Sequence, residues 1–367
     1  RPIKDWRGSG VGPGRSRPAR VLGAETSSET KLVPMSSIFN SELDSILEGT
    51  SRSFYLSLKE LPNSIRPQVS LLYMLARTSD TIADSEQGDS GELLLALESY
   101  NDFSQGKNEN LLDLSSLAES QRNKSEASLL RNVDKIVSKI ADFSESDQKS
   151  IRHCLGIIIG GQILDLQRFS SEEGTITSLD SDEELDDYAY RVAGSVGEFW
   201  TRMSLDHIFQ LKGENQEEEL FENGIRFGKA LQMINILRDI PADLSLGRCY
   251  IPRSGLDEYG MTPSDLLEPS SMDSFRPLYD GYLDLTDEYL NSAIQYIEML
   301  PHLKFRLRAA CMFPVIIGKR TVSKLRDGNV LDAGNRIKIE RSEIKDVIKK
   351  VVFSVPSRKA SMRILRG

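Results

Sequence analysis

Apolar residues along most of this chain recur at spacings of three and four, the mark of amphipathic helices rather than strands. "NSELDSILEGTSRSFYLSLKEL" carries that period. "PNSIRPQVSLLYMLARTSDTIADS" opens on Pro and Asn punctuation and runs on as a longer helix. "GELLLALESYNDF" and "ASLLRNVDKIVSKIADF" predict shorter amphipathic helices. "SDQKSIRHCLGIIIGGQILDLQRF" is apolar around more of its circumference, which marks a central helix. "DDYAYRVAGSVGEFWTRMSLDHIF" and "ENGIRFGKALQMINILRDI" are likewise long and mostly apolar. "SFRPLYDGYLDLTDEYLNSAIQYIEML" and "KFRLRAACMFPVIIGKRTVSKLRDG" close the set. Strand-like alternation is scarce and no repeat of fixed period is visible. The pattern predicts an all-α bundle forming one large domain over residues 35–367. Residues 1–34 are rich in Gly, Pro and Arg and carry no apolar period. They read as a disordered extension, without the apolar middle of a secretory signal.

Composition narrows the function classes. The 367 residues, 39% hydrophobic and 28% charged, suit a globular chain with a sizeable core. A formal net charge of −9 argues against nucleic acid as a partner. It leaves anionic small substrates open, because metals and a few arginines reverse a local field. Cys154, Cys249 and Cys311 are far apart, which fits a reducing compartment. His153, His207 and His302 form no HxxxH pair, which argues against a His/Cys zinc site. No apolar run approaches the roughly 20 residues that span a bilayer. The expected location is cytoplasmic, at most peripheral at a membrane. The basic tail "KDVIKKVVFSVPSRKASMRILRG" reads first as solvated or frayed, with contact to an anionic surface as the alternative.

Two acidic stripes carry the candidate chemistry. Tyr73, Arg77, Asp80 and Asp84 step along one side of an otherwise apolar helix. Far downstream, Gln232, Asn235, Asp239 and Asp243 share a face, with Arg238 and Arg248 beside them. Pro241 predicts a break there, with Asp243 on a last turn rather than on a straight helix. Oxygen-only side chains suit a hard cation, above all Mg²⁺ bridging to substrate phosphates. Arginines clamp diphosphate through paired hydrogen bonds. Together they would stabilise a departing diphosphate, and a dry apolar cavity would protect the carbocation left behind. A solvated helix face is the competing explanation for any single DxxxD pair.

At these residues the sequence resembles the squalene/phytoene synthase family. "SRSFYLSLKELP" (Ser51 to Pro62), "ARTSDTIAD", "YAYRVAGSVG" (Tyr188 to Gly197) and "LQMINILRDIPADLSLGRCYIP" resemble its motifs in the right order. The resemblance implies a helical isoprenoid synthase bundle around a central apolar cavity. It also implies head-to-head condensation of two prenyl diphosphates. By motif, Asp80, Asp84, Asn235, Asp239 and Asp243 would hold Mg²⁺. Ser51, Arg52, Tyr73, Arg77, Gln232, Asn235, Arg238 and Arg248 would lie near diphosphate or the reacting centre. Tyr188 would handle a proton or stabilise a cation, where its neighbours alone suggest a core tyrosine. Gly194 and Gly197 lie inside a predicted helix, and either a second helix or a prenyl chain would explain them.

Within the family, "RAACMFPVII" resembles the Cys-x-x-Pro segment of squalene synthases, with Cys311 and Pro314 in place. "NRIKIERSEIK" resembles the stretch that follows it there, setting Lys338 near a nicotinamide nucleotide. No GxGxxG offers a Rossmann site for NADPH. The resemblance thus points to a bacterial-type squalene synthase using farnesyl diphosphate, Mg²⁺ and NADPH. A phytoene, dehydrosqualene or presqualene diphosphate synthase, without reduction, is the alternative inside the family. A non-catalytic scaffold of the same fold and a cyclising terpene synthase are the alternatives outside it.

Overall fold

The computed structural model describes residues 39, 41–51, 58, 61–85, 88–169 and 175–366. The proposed extension over residues 1–34 and the candidate Arg52 lie outside them.

Among the described residues, the helices start with α1 (Ser41–Ser51) and α2 (Arg66–Ala83). Pro67 sits in the first turn of α2, where its missing N–H leaves no helical bond unmade. Then come α3 (Ser90–Ser104), α4 (Ser115–Ser120), α5 (Lys124–Arg131) and α6 (Val133–Ser138). Asp89 starts α3 as one half of a capping box with Glu92. The stretch predicted as one helix from Ala127 breaks at Asn132, whose side chain donates to the Ser128 carbonyl at 2.9 Å. Such local bonds compete with helix continuation.

Next are α7 (Glu145–Arg168), β1 (Thr177–Ser178) and α8 (Asp182–Ala189). A π-helical turn, Tyr190–Gly194, leads into α9 (Ser195–His207). One continuous helix is expected there; the extra residue of the π turn re-aims the side chains on either side of it. The long α10 (Glu214–Arg238) stops at Asp239, and α11 (Ile240–Leu244) restarts with Pro241 in its first turn. β2 (Arg248–Cys249) pairs in parallel with β1, Thr177 opposite Arg248. Gly247, at φ +73°, makes the turn that delivers Arg248 to this pairing. The chain ends with α12 (Arg253–Glu258), α13 (Met272–Met299), α14 (Phe305–Asp327), α15 (Arg341–Ser354) and α16 (Arg358–Arg366).

The basic tail is therefore helical rather than frayed. Lys324 to Glu343 at 2.6 Å and Arg320 to Asp346 at 2.7 Å hold α15 against α14. Lys319 Nζ donates to the Leu365 carbonyl at 3.2 Å and fixes α16.

One core runs through the bundle, with α10 packed on α9 and α13, and α7 on α2. Glycines set the closest approach. A Cβ on Gly197 would lie 2.0 Å from the Gly224 carbonyl oxygen, and one on Gly228 would lie 2.1 Å from that of Ala193. Helix contact, not a ligand, explains Gly197. A polar tie centred on the buried Asp147 joins α2, α7 and α9: Asp147 accepts from Gln68 at 3.1 Å and lies 2.8 Å from His207 Nε2. Among the described residues, no helix is long and apolar enough to cross a membrane.

Candidate active site

The first acidic stripe rides on α2. Tyr73 is buried and donates its hydroxyl to the Thr50 carbonyl at 3.2 Å. Arg77 bonds Glu126 of α5 and lies 3.8 Å from Asp80. Burial opposes the Arg77 charge, but Asp80 and Glu126 outweigh it and raise its pKa. Asp80, only 4% exposed, accepts from Gln162 Nε2 of α7 at 2.5 Å. Asp84 is exposed and is the C-cap of α2, not a residue of its interior. Ser51 is buried with its hydroxyl spent on the Leu47 carbonyl of its own helix.

The second stripe lies at the end of α10. Gln232 is buried and Asn235 half-buried. Arg238 reaches the Asn235 amide oxygen at 3.1 Å and both Asp239 oxygens, at 3.1 and 2.8 Å. Arg336, from the segment joining α14 to α15, adds a bond to Asp239 at 2.7 Å. Burial alone would raise the Asp239 carboxyl, yet the two guanidinia hold it below the usual carboxylate range. The chain turns at Asp239, so Asp243 sits in the short α11, buried at 4% exposure.

Arg248 meets one member of each stripe's neighbourhood: it lines one hollow with Asp84, and its strand β2 packs on α11, which holds Asp243. Tyr250 donates to Asp165 of α7 at 2.8 Å, and Arg248 lies 3.4 Å from the same carboxylate oxygen. Burial opposes the Arg248 charge; Tyr250, Asp165 and Asp84 of the first stripe raise its pKa. Burial drives the Tyr250 pKa far above the ordinary phenol, followed by Asp165, with Asp243 of the second stripe pushing the same way. Tyr188 stacks on Tyr250, with centroids 4.6 Å apart and planes at 20°. Asp84, Gln162, Asp165, Tyr188 and Arg248 line one hollow, with Val192 on its apolar side. Around it, the Tyr188 hydroxyl, Asp165 Oδ1 and Gln162 Oε1 are buried without hydrogen-bond partners among the described residues. Buried polar atoms of that kind mark a place for a ligand, water or ion.

Among the described residues, no three histidines, cysteines or carboxylates form a ready-made metal cage. That does not disqualify Mg²⁺, which binds through one or two carboxylates plus waters and substrate phosphates. The donor set is all oxygen, and Asp239 is held ionised, so the residues fit such an ion.

Other candidates lie elsewhere. Cys311 is buried inside α14, and burial pushes its thiol up to about 12; Cys154 and Cys249 reach about 12 for the same reason. Buried thiols in that state are inert packing groups. Lys338 is exposed, two residues beyond Arg336. Glu126, Gln162, Tyr250 and Arg336 are additions from the structure. A lone glutamine in the apolar run "CLGIIIGGQIL" was the visible signal for Gln162, and the Gly-Arg-x-Tyr-x-Pro motif held Tyr250. Arg336 and Glu126 gave none, because their partners are distant in sequence.

Several known proteins are similar to this chain. A bifunctional lycopene cyclase/phytoene synthase of Gibberella fujikuroi is 28% identical over 262 residues, 70% of this chain and 42% of that protein. A presqualene diphosphate synthase of Zymomonas mobilis is 29% identical over 222 residues, 60% of this chain and 63% of that one. The chain thus spans about two fifths of the bifunctional relatives it matches. Among solved structures, TcSQS in complex with E5700 superposes with a TM-score of 0.72 at 17% identity, covering 89% of each chain. A dehydrosqualene synthase in complex with ligand gives 0.59 at 19% identity, covering 86% of this chain and 95% of that one. These two likenesses speak to the fold, which is the helical squalene synthase fold. The squalene/phytoene synthase model matches residues 47–343, from α1 through the segment that carries Arg336, and the chain belongs to that family.

Proposed function

We propose that this chain joins two prenyl diphosphates head to head through a cyclopropyl diphosphate. One observation carries the reading: Asp84 of the first acidic face lines one hollow with Arg248, Asp165 and Tyr188, while α11, which holds Asp243 of the second, packs on the β2 strand that holds Arg248.

The residues divide the work. Asp80 and Asp84 on one side, and Asn235, Asp239 and Asp243 on the other, would hold Mg²⁺. When bound, that ion supplies Lewis-acid stabilisation of the charge on the leaving diphosphate. Arg238 and Arg248 present charged donors that match phosphate oxygens in pairs. The stacked faces of Tyr188 and Tyr250 favour positive charge beside them. The Tyr188 hydroxyl, without a hydrogen-bond partner among the described residues, is available to hold or pass a proton. Val192 and the surrounding core keep water from the cation.

Farnesyl diphosphate is the proposed substrate, and squalene the proposed product. Support for a reductive ending comes from the segment joining α14 to α15. Its Arg336 touches Asp239, and the exposed Lys338, two residues on, would offer its ammonium group to a nucleotide phosphate. NADPH would supply the hydride. A second reading, the non-reductive ending, draws support from the relatives named phytoene synthase and presqualene diphosphate synthase.

The test is incubation of purified protein with farnesyl diphosphate and Mg²⁺, with and without NADPH, followed by lipid extraction. Squalene only in the presence of NADPH is expected. Presqualene diphosphate in both tubes overturns the reductive step, and a desaturated hydrocarbon without NADPH favours the second reading. Unchanged farnesyl diphosphate in both tubes, with geranylgeranyl diphosphate also inert, leaves the scaffold reading.

A further inference from the structure

Helix α15 has two apolar stripes where a helix on the surface of a bundle needs one. Val347 and Val351 face inward and are buried. On the opposite side, Ile348 is 46%, Val352 60% and Phe353 83% exposed. Lys345 and Lys349 lie on that same outward arc, one helical turn apart. Neither lysine forms an ion pair among the described residues, whereas Lys350 turns to Asp346 at 3.0 Å. The two acidic residues of α15, Glu343 and Asp346, are both engaged by cations of α14.

We propose that the outward face of α15, with Lys345, Ile348, Lys349, Val352 and Phe353, docks the chain on an anionic lipid surface. The charge favours this occupant. Residues 341–366 hold eight lysines and arginines against two acids, in a chain whose formal net charge is −9. A strong positive patch on an acidic protein is attracted to a negative surface while the rest of the molecule is repelled, which fixes orientation. The pattern favours it too. Large apolar side chains between lysines let the rings and branches enter the acyl boundary while the ammonium groups stay with the headgroups. A symmetric pairing with a second copy would instead set Lys345 and Lys349 against their own counterparts. The face lies beyond residue 343, where the match to the family model ends. The inference stands independently of the reaction proposed above.

Full-length protein is sedimented with vesicles of phosphatidylcholine alone and of phosphatidylcholine mixed with phosphatidylserine. Wild type is expected to pellet with the mixed vesicles and to be released by salt. Val352→Ser with Phe353→Ser, and separately Lys345→Glu with Lys349→Glu, each weaken the partition about tenfold. All four side chains are exposed, so circular dichroism and thermal melting stay unchanged. Wild type remaining in the supernatant with mixed vesicles overturns the proposal. So does equal pelleting of wild type and both double variants. A wild-type dimer that Phe353→Ser dissociates, without vesicle partition, assigns the face to a second copy and overturns it as well.

Discussion

Tyr188 lies flat on Tyr250, and the two hydroxyls have different fates: Tyr250 bonds Asp165, while that of Tyr188 is buried and bonds nothing among the described residues. The stack fixes the Tyr188 ring through its face, which leaves the oxygen free for work. Removing an unbonded buried hydroxyl costs the fold little. Tyr188→Phe is expected to melt at or slightly above the wild-type temperature while turnover falls by about 100-fold. Steady-state kinetics beside a thermal melt checks both halves. A variant that loses stability but keeps its turnover would return Tyr188 to the core.

Arg336 stands where a cation belongs. It is half-exposed and bonds the nearly buried Asp239, so any metal arriving at that carboxylate competes with it. Pairs with one exposed partner are weak, so its removal should raise Mg²⁺ or Mn²⁺ affinity without diphosphate by only about two- to fivefold. Titration calorimetry on Arg336→Ala reads this directly. Unchanged affinity would mean that metal does not use Asp239.

Acid should expose the same pairing. The folded pKa of Asp239 is depressed, because Arg238 and Arg336 outweigh its burial. A depressed carboxylate contributes stability that is fully present above its unfolded pKa of about 3.9 and fades as pH falls through the folded value. In metal-free buffer, the stability advantage of wild type over Asp239→Asn should hold near neutrality and shrink below about pH 4. Urea midpoints across that range measure it; a gap constant with pH would contradict it.

Asp147 ties three helices, and its loss should be structural. Asp147→Ala leaves the buried Gln68 and the more exposed His207 without their shared partner. The expected cost is about 2–3 kcal/mol. Urea unfolding should show a lower midpoint with little change in slope.

Spacing made some of this arrangement legible and could not reach the rest. Asp80 with Asp84, and Asp239 with Asp243, were visible because four residues return to one helix face. Their fates diverge at helix ends: Asp84 caps α2, and Asp239 ends α10 before the break at Pro241. Periodicity carries the helix but not its last turn. The resemblance sets Arg77 near diphosphate, and its bond to Glu126, 49 residues on, is a pairing that only folding creates. The π turn at Tyr190–Gly194 left no trace in the apolar pattern, because one inserted residue within a mostly buried helix changes direction, not composition. The tail was judged by its charge, but its second apolar stripe, Val347 and Val351, packs it down.

The glycine seam between α9 and α10 has a mechanical consequence. Backbone meets backbone at Gly197 and Gly224, so no flexible side chain cushions the joint. The helical path leading from Tyr188 and the one leading to Asp239 are thereby coupled at a spacing that rotamer changes cannot alter. A methyl group added at Gly197 would act as a wedge, prying the aromatic half of the cleft from its acidic half even though it touches neither.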